Sequence, residues 1–169
     1  WVEPLIKYNL LALGGAHLIV LFDVSTRIAS TIRTFIVSLN TPLIAIWSQK
    51  FSQSSFNKEL IVNISLGIVL NIIYLSTSST IFLVFFGVSE QNFLFTTVIV
   101  LTYFLVTIQN LPNISNIALN KINRNFNATL IVLIFVGLGY FCIFDAEIYI
   151  WTYLIGYIVS TIYLFCIKK

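Results

Sequence analysis

Long apolar runs separated by short polar clusters dominate this chain. Residues 60–89, 91–120, 125–144 and 148–167 contain no Asp, Glu, Lys or Arg. Each is long enough for an α-helix to cross a hydrocarbon core, which takes about 20 apolar residues. A further apolar stretch, residues 16–47, carries a few charges, and a short apolar stub covers residues 4–13. Trimmed to their hydrophobic limits, the expected spans are 16–47, 60–86, 93–116, 126–144 and 149–167. The pattern predicts an all-α, polytopic transmembrane helix bundle of five full spans plus the end of a sixth.

Composition points the same way. Of 169 residues, 59% are hydrophobic and only 9% charged, with a mean hydropathy of +0.98, so a water-facing globular surface cannot be built and soluble enzymes are excluded. No charged leader followed by a short apolar run and a small-residue cleavage site opens the chain, so the apolar segments belong to the structure. No Pro-, Gly- or Ser-rich linker divides it and no internal repeat stands out, so residues 1–169 are read as a single transmembrane domain. The chain begins at Trp1 and contains no Met, and is expected to be a fragment of a longer protein, with the stub as the last turns of a helix begun upstream. Cys142 and Cys166 fall near opposite ends of two antiparallel spans, too far apart for the Cα separation of about 4–7 Å that a disulfide needs.

Charge placement predicts orientation. If Lys168 and Lys169 are cytoplasmic, alternate loops put Lys50, Lys58, Lys121 and Arg124 on the same side, while the opposite loops carry Glu90, Asp145 and Glu147 and no basic residue. Six basic residues against none is the asymmetry of the positive-inside rule, and it predicts a cytoplasmic C-terminus. The stub then rises to Gly14 and Gly15, a pair suited to a tight reversal.

Ionisable residues within spans are costly, about 2.5–3.5 kcal/mol at the bilayer centre on translocon scales, and most of them here fall on one helix. In residues 16–47, Asp23, Arg27 and Arg33 share a broad arc with Thr26, Ser30, Thr34, Ser38 and Thr41. Asp23 and Arg27 are four apart and expected to pair, as are Glu3 and Lys7 on the stub. Arg33 has no acid of its own helix within reach. It sits about 15 Å along the axis from Asp23, too deep for simple snorkelling, so it is expected to face a hydrated cavity. Gln109 and Asn113, with Thr102, Asn116 and Asn120, are candidates either for lining that cavity beside Ser30 and Thr34 or for bonding a neighbouring helix. Pro112 is expected to kink or loosen its span. His17 has no Cys, His or acid at ligand spacing, so no metal site and no cofactor are expected. The loops offer no acid, base and nucleophile cluster, and the chain is not expected to be an enzyme. Nucleic acid is not expected as a partner.

Several of these segments resemble a known family. Residues 3–16 (EPLIKYNLLALGGA), 22–49 (FDVSTRIASTIRTFIVSLNTPLIAIWSQ), 85–87 (FFG) and 110–130 (NLPNISNIALNKINRNFNATL) are similar to the later helices of the Wzx-type flippases. These are the O-antigen and polysaccharide biosynthesis proteins within the MOP exporter superfamily. The resemblance implies the second bundle of a 12 to 14 helix transporter in a bacterial inner membrane. It implies an activity that flips undecaprenyl-pyrophosphate-linked oligosaccharide from the cytoplasmic to the outer leaflet by alternating access. Arg27 and Arg33 would hold the pyrophosphate, with Asp23, Lys7 and Glu3 beside them. The lipid-linked oligosaccharide, membrane lipid, a glycan polymerase and other assembly proteins are the implied partners. Two alternatives remain at this level: a multidrug or small-molecule exporter of the same superfamily, using Asp23 or Glu3 to bind a coupling ion, and a non-transporting membrane scaffold.

Overall fold

The computed structural model describes residues 2–13, 16–86, 93–143 and 145–166. The Gly14 and Gly15 reversal, Glu90, the motif ending at Gly87, the side chains of His17 and Glu147, and the Lys168 and Lys169 tail all lie outside the described residues. Among the described residues every regular element is a helix: α1 (Val2–Ala12), α2 (Ala16–Asn40), α3 (Leu43–Gln49), α4 (Gln53–Phe86), α5 (Phe93–Ala118), α6 (Ile122–Cys142) and α7 (Ala146–Cys166). Five stretches are long and apolar enough to cross a membrane, namely Leu18–Gln49, Gln53–Ser78, Leu94–Ala118, Ile122–Cys142 and Ile148–Cys166. The all-α polytopic architecture read from the apolar runs is therefore present.

The exterior explains why such a chain suits a bilayer. Among the described side chains of α4 the buried residues are Asn63, Gly67, Asn71, Tyr74 and Ser78, successive neighbours three or four apart, whereas Ile61, Val62, Ile68, Val69, Ile72 and Ile73 are exposed. The usual soluble pattern, apolar inside and polar outside, is inverted. Large apolar side chains stand exposed on every one of the five spans, far beyond the isolated patches a soluble monomer carries. A multi-pass membrane protein follows from this surface and from the helix lengths.

α5 is the central helix. It packs against α2, α3, α4, α6 and α7, and buried residues occur around its whole circumference, from Phe95 and Ile99 to Leu111 and Asn116. The main core joins Ile6 and Leu10 of α1, Phe22 of α2, Phe95 and Ile99 of α5, Val136 of α6, and Tyr149 and Tyr153 of α7. A smaller cluster of Trp47, Leu111 and Ile114, with Phe51 and Phe56 against it, closes the opposite end. That end also gathers Lys50, Lys58, Lys121 and Arg124, because α4 and α6 start there and α3 and α5 finish there.

Several element boundaries differ from the hydropathy limits. The span expected over 16–47 breaks at Thr41 and Pro42, since Pro has no N–H to continue the ladder. Thr41 Oγ1 donates to the Val37 carbonyl at 3.3 Å, and α3 restarts after Pro42. α4 starts at Gln53 rather than 60 and so takes in Lys58 and Glu59. Its polar first turns are self-supporting: Ser55 N–H donates to Ser52 Oγ at 3.4 Å, and Gln53 Nε2 donates to Asn57 Oδ1 at 3.0 Å. At 34 residues it is about 51 Å long, well beyond a hydrocarbon core of about 30 Å, which leaves room for its polar first turns to extend past the core. α6 likewise starts at Ile122 instead of 126, and α5 continues through Pro112 as far as Ala118. Cys142 and Cys166 are both free and exposed.

Candidate functional site

The polar residues of the spans assemble in two linked tiers. The upper tier fastens α1 to the bundle. Lys7 Nζ lies 2.5 Å from Asp23 Oδ1, an oxygen shielded from solvent and lacking any other partner, although both side chains remain partly open. Tyr103 OH donates to Glu3, and Asn9 Nδ2 donates to Tyr149 OH at 2.6 Å. Tyr149 OH in turn donates to the Val136 carbonyl at 3.2 Å. One short helix is thus tied by polar bonds to α2, α5 and α7 at once. Beside it, Glu3, Tyr153 and Tyr157 border a cavity of about 340 Å³.

This geometry corrects the pairing expected from spacing. Asp23 pairs with Lys7 of the neighbouring helix and not with Arg27, and Glu3 bonds Tyr103 and not Lys7. The reason is reach: α1 lies against α2 with Lys7 facing Asp23, whereas Arg27 points to the exposed side of α2. Arg27 therefore has no carboxylate among the described residues, in a helix whose exposed residues include Val20, Phe35 and Leu39 as well as Thr31, Thr34 and Ser38.

The lower tier is a chamber of about 180 Å³ bordered by Arg33, Gln109, Asn113, Asn125, Tyr157 and Ser160. Four helices supply these groups, so the chamber lies inside the bundle. Most of its polar atoms are occupied. Gln109 Nε2 donates to Thr161 Oγ1 at 2.9 Å and to the Tyr157 carbonyl at 3.2 Å. Asn125 Nδ2 donates to the Asn113 carbonyl at 3.0 Å and accepts at Oδ1 from Asn116 at 2.8 Å, while Ser160 donates to the Ala128 carbonyl at 2.9 Å. Two atoms are left over: Arg33 Nε, a donor, and Asn113 Oδ1, an acceptor, are both buried without a partner. Each costs about 1–3 kcal/mol in that state, so a bound group or ordered water that meets both would be stabilised there. Arg33 is the one charged side chain on the lining.

Of the residues singled out from sequence, Arg33, Gln109 and Asn113 come together around this chamber. Asp23, Lys7 and Glu3 belong to the upper tier. Ser30 and Thr34 border neither cavity; Ser30 Oγ donates to the Arg27 carbonyl at 2.9 Å and Thr34 Oγ1 to the Ser30 carbonyl at 2.8 Å. That local bonding removes most of the cost of a hydroxyl in a span and leaves the exposed face of α2 only mildly polar around Arg27. Sequence reasoning missed Asn9, Asn125, Ser160 and the tyrosines. Tyr149, Tyr153 and Tyr157 recur every four residues on one face of α7, a signal that was readable. Among the described residues no group of three His, Cys, Asp or Glu is placed to hold a metal ion.

Compared with protein-family models, curated proteins and solved structures, the chain matches none. The functional reading rests on the site.

Proposed function

We propose that the chain forms one bundle of a membrane transporter that flips a pyrophosphate-linked oligosaccharide lipid across the inner membrane by alternating access. The observation that carries the reading is the state of the α2 arginines. Arg27 is exposed within a membrane span, Arg33 opens into a polar chamber, and neither has a carboxylate partner among the described residues. A cation in this setting needs water or an anion, and a diphosphate headgroup travelling between helices supplies the anion by charge-assisted hydrogen bonds. The polyprenyl tail would stay in lipid while the headgroup passes through a shielded polar route. The orientation that goes with this reading has the C-terminus in the cytoplasm, so the Arg33 chamber lies toward the cytoplasmic side, where the substrate would load.

The exporter reading fits less well. A cation-binding site would want Asp23 or Glu3 available, but Asp23 is taken by Lys7 and Glu3 accepts from Tyr103. The scaffold reading explains the upper tier and leaves Arg33 without a role.

The test is Arg33→Ala assayed for flipping of lipid-linked oligosaccharide in reconstituted vesicles, with membrane abundance measured in parallel. Transport should fall at least about tenfold with abundance unchanged, the scale of losing one charge-assisted contact of about 1.5–3 kcal/mol, and Arg33→Lys should keep part of it. Full transport by Arg33→Ala, or equal loss of transport and abundance, would reject the proposal.

A further inference from the structure

The Arg33 chamber leaves one donor and one acceptor unmet, and a ligand that fits it has to answer both. Each lining residue sits within a described helix, and none adjoins an undescribed segment. Arg33 Nε and Asn113 Oδ1 are buried there without a partner. The amide and hydroxyl donors around Asn113 are committed elsewhere. Gln109 Nε2 donates to Thr161 Oγ1 and the Tyr157 carbonyl, and Asn125 Nδ2 to the Asn113 carbonyl. Thr129 Oγ1 donates to the Asn125 carbonyl at 3.1 Å, and Ser160 Oγ to the Ala128 carbonyl. The Asn125 bond thus holds the backbone of Asn113 while its side-chain oxygen, on the chamber wall, is left to accept from whatever enters.

We propose that Asn113 reads a hydroxyl of the sugar joined to the phosphate that Arg33 holds, so that the chamber is a site for a sugar phosphate and not for phosphate alone. The inference rests on the transport reading and adds to it a residue that determines specificity. A diphosphate esterified at both ends carries no proton near neutral pH and offers only acceptors. It satisfies the guanidinium and leaves Asn113 Oδ1 stranded. The missing donor then has to come from the group beside the phosphate, and a sugar presents hydroxyls there. The volume agrees. A chamber of about 180 Å³ is several times the share of one water, about 30 Å³, which is room for a phosphate and the hydroxylated edge of one ring. Tyr157 borders both this chamber and the cavity beside Glu3 and Tyr153, so the glycan beyond the first ring lies next to a second space. A site that supplies an acceptor for one hydroxyl discriminates against an analogue without it, because the acceptor is then buried unpaired.

Isothermal titration calorimetry of the full chain in detergent tests this, comparing glucose 1-phosphate with cyclohexyl phosphate at about pH 8. A phosphate monoester has its second pKa at about 6, so at that pH both ligands are unprotonated anions of similar ring size, and one lacks the hydroxyls. The wild type should bind glucose 1-phosphate about tenfold or more tighter, the scale of one buried acceptor gaining its donor. Asn113→Leu should bring the two affinities within about twofold by weakening glucose 1-phosphate alone; its unchanged binding of cyclohexyl phosphate shows that the chamber is intact. Arg33→Ala should lose both ligands. Equal affinities in the wild type, as an ordered water on Asn113 would give, or an undiminished preference in Asn113→Leu would overturn the inference and leave the transport reading standing. Loss of both ligands in Asn113→Leu would also overturn it, by making Asn113 a support of the chamber's shape. A wild type that binds neither ligand, or binding that survives Arg33→Ala, would reject the Arg33 reading itself.

Discussion

The Tyr149 hydroxyl makes two bonds in a buried position, accepting from Asn9 and donating to the Val136 carbonyl. Tyr149→Phe keeps the ring in the core and strands the Asn9 amide. Since a buried donor left without an acceptor costs about 1–3 kcal/mol, the variant should lose about 1–2 kcal/mol, more than the roughly 0.6 kcal/mol of an average interhelical bond in a membrane. Adding Asn9→Leu should recover part of that loss, because the stranded amide is then gone. Unfolding of the two variants in mixed micelles measures both; a Tyr149→Phe protein as stable as the wild type would mean that water already serves Asn9. This bond also shows where residue-level reading from sequence stops. Spacing of four on one helix suggests that Asp23 meets Arg27 and Glu3 meets Lys7, yet both acids bond to other helices. A single sequence reveals which residues share a face, but the partner across an interface depends on how helices are rotated and offset. Arg33 was legible as a residue without a partner because that inference needs only the absence of an acid at reachable spacing. Its neighbours Asn125 and Ser160 were not, since they reach the chamber from α6 and α7.

Among the elements, α6 and α7 form the most extensive pair, and the reason lies in two glycines. A Cβ on Gly139 would lie 2.8 Å from Thr152 Cβ and 2.9 Å from its Oγ1, and one on Gly156 would lie 3.3 Å from the Val132 Cα. Close backbone approach through small residues is how helices associate in lipid, where apolar burial offers no advantage over contact with acyl chains. Gly139→Ala should therefore force the pair apart and cost about 1–3 kcal/mol, and Thr152→Gly in the same chain, which removes the opposing Cβ, should restore part of it. The change is read as loss of detergent-resistant folding for the single variant and its partial recovery in the double. Gly137, where an added Cβ meets nothing within 4 Å, is the control and should tolerate Ala. The number and order of spans were readable from sequence because apolar length is a property of each segment alone. Their ends were not readable by the same measure. Gln53 to Glu59 are too polar to register as span, but Gln53, Lys58 and Glu59 are good helix formers and local side-chain bonds support the rest, so the segment extends α4 into the interface. The break at Pro42 was a readable signal that hydropathy passed over, since Pro matters through its missing N–H and not through its polarity.

At the scale of the whole molecule, the bundle places Lys50, Lys58, Lys121 and Arg124 at one end, the same end that holds the cluster of Trp47, Leu111 and Ile114. The positive-inside rule assigns such an end to the cytoplasm, and the chain carries its own reporters for the assignment. Cys142 finishes α6 and Cys166 finishes α7, two antiparallel helices of 21 residues each, and both thiols are exposed. Helices of that length separate the thiols by about 30 Å, the thickness of a hydrocarbon core. They should therefore answer to opposite sides of the membrane. In single-cysteine chains made by Cys142→Ser or Cys166→Ser, a membrane-impermeant maleimide should modify Cys142 in intact cells and Cys166 in inside-out vesicles. The reverse pattern would put the basic end outside. It would also turn the Arg33 chamber toward the outer leaflet, so a substrate arriving from the cytoplasm would first meet the Lys7 and Asp23 tier, where the ion pair leaves no surplus cation. The labelling result thus bears directly on whether Arg33 can act at the loading side. It does so without a transport assay, because the order in which a headgroup meets the two tiers is set by orientation alone.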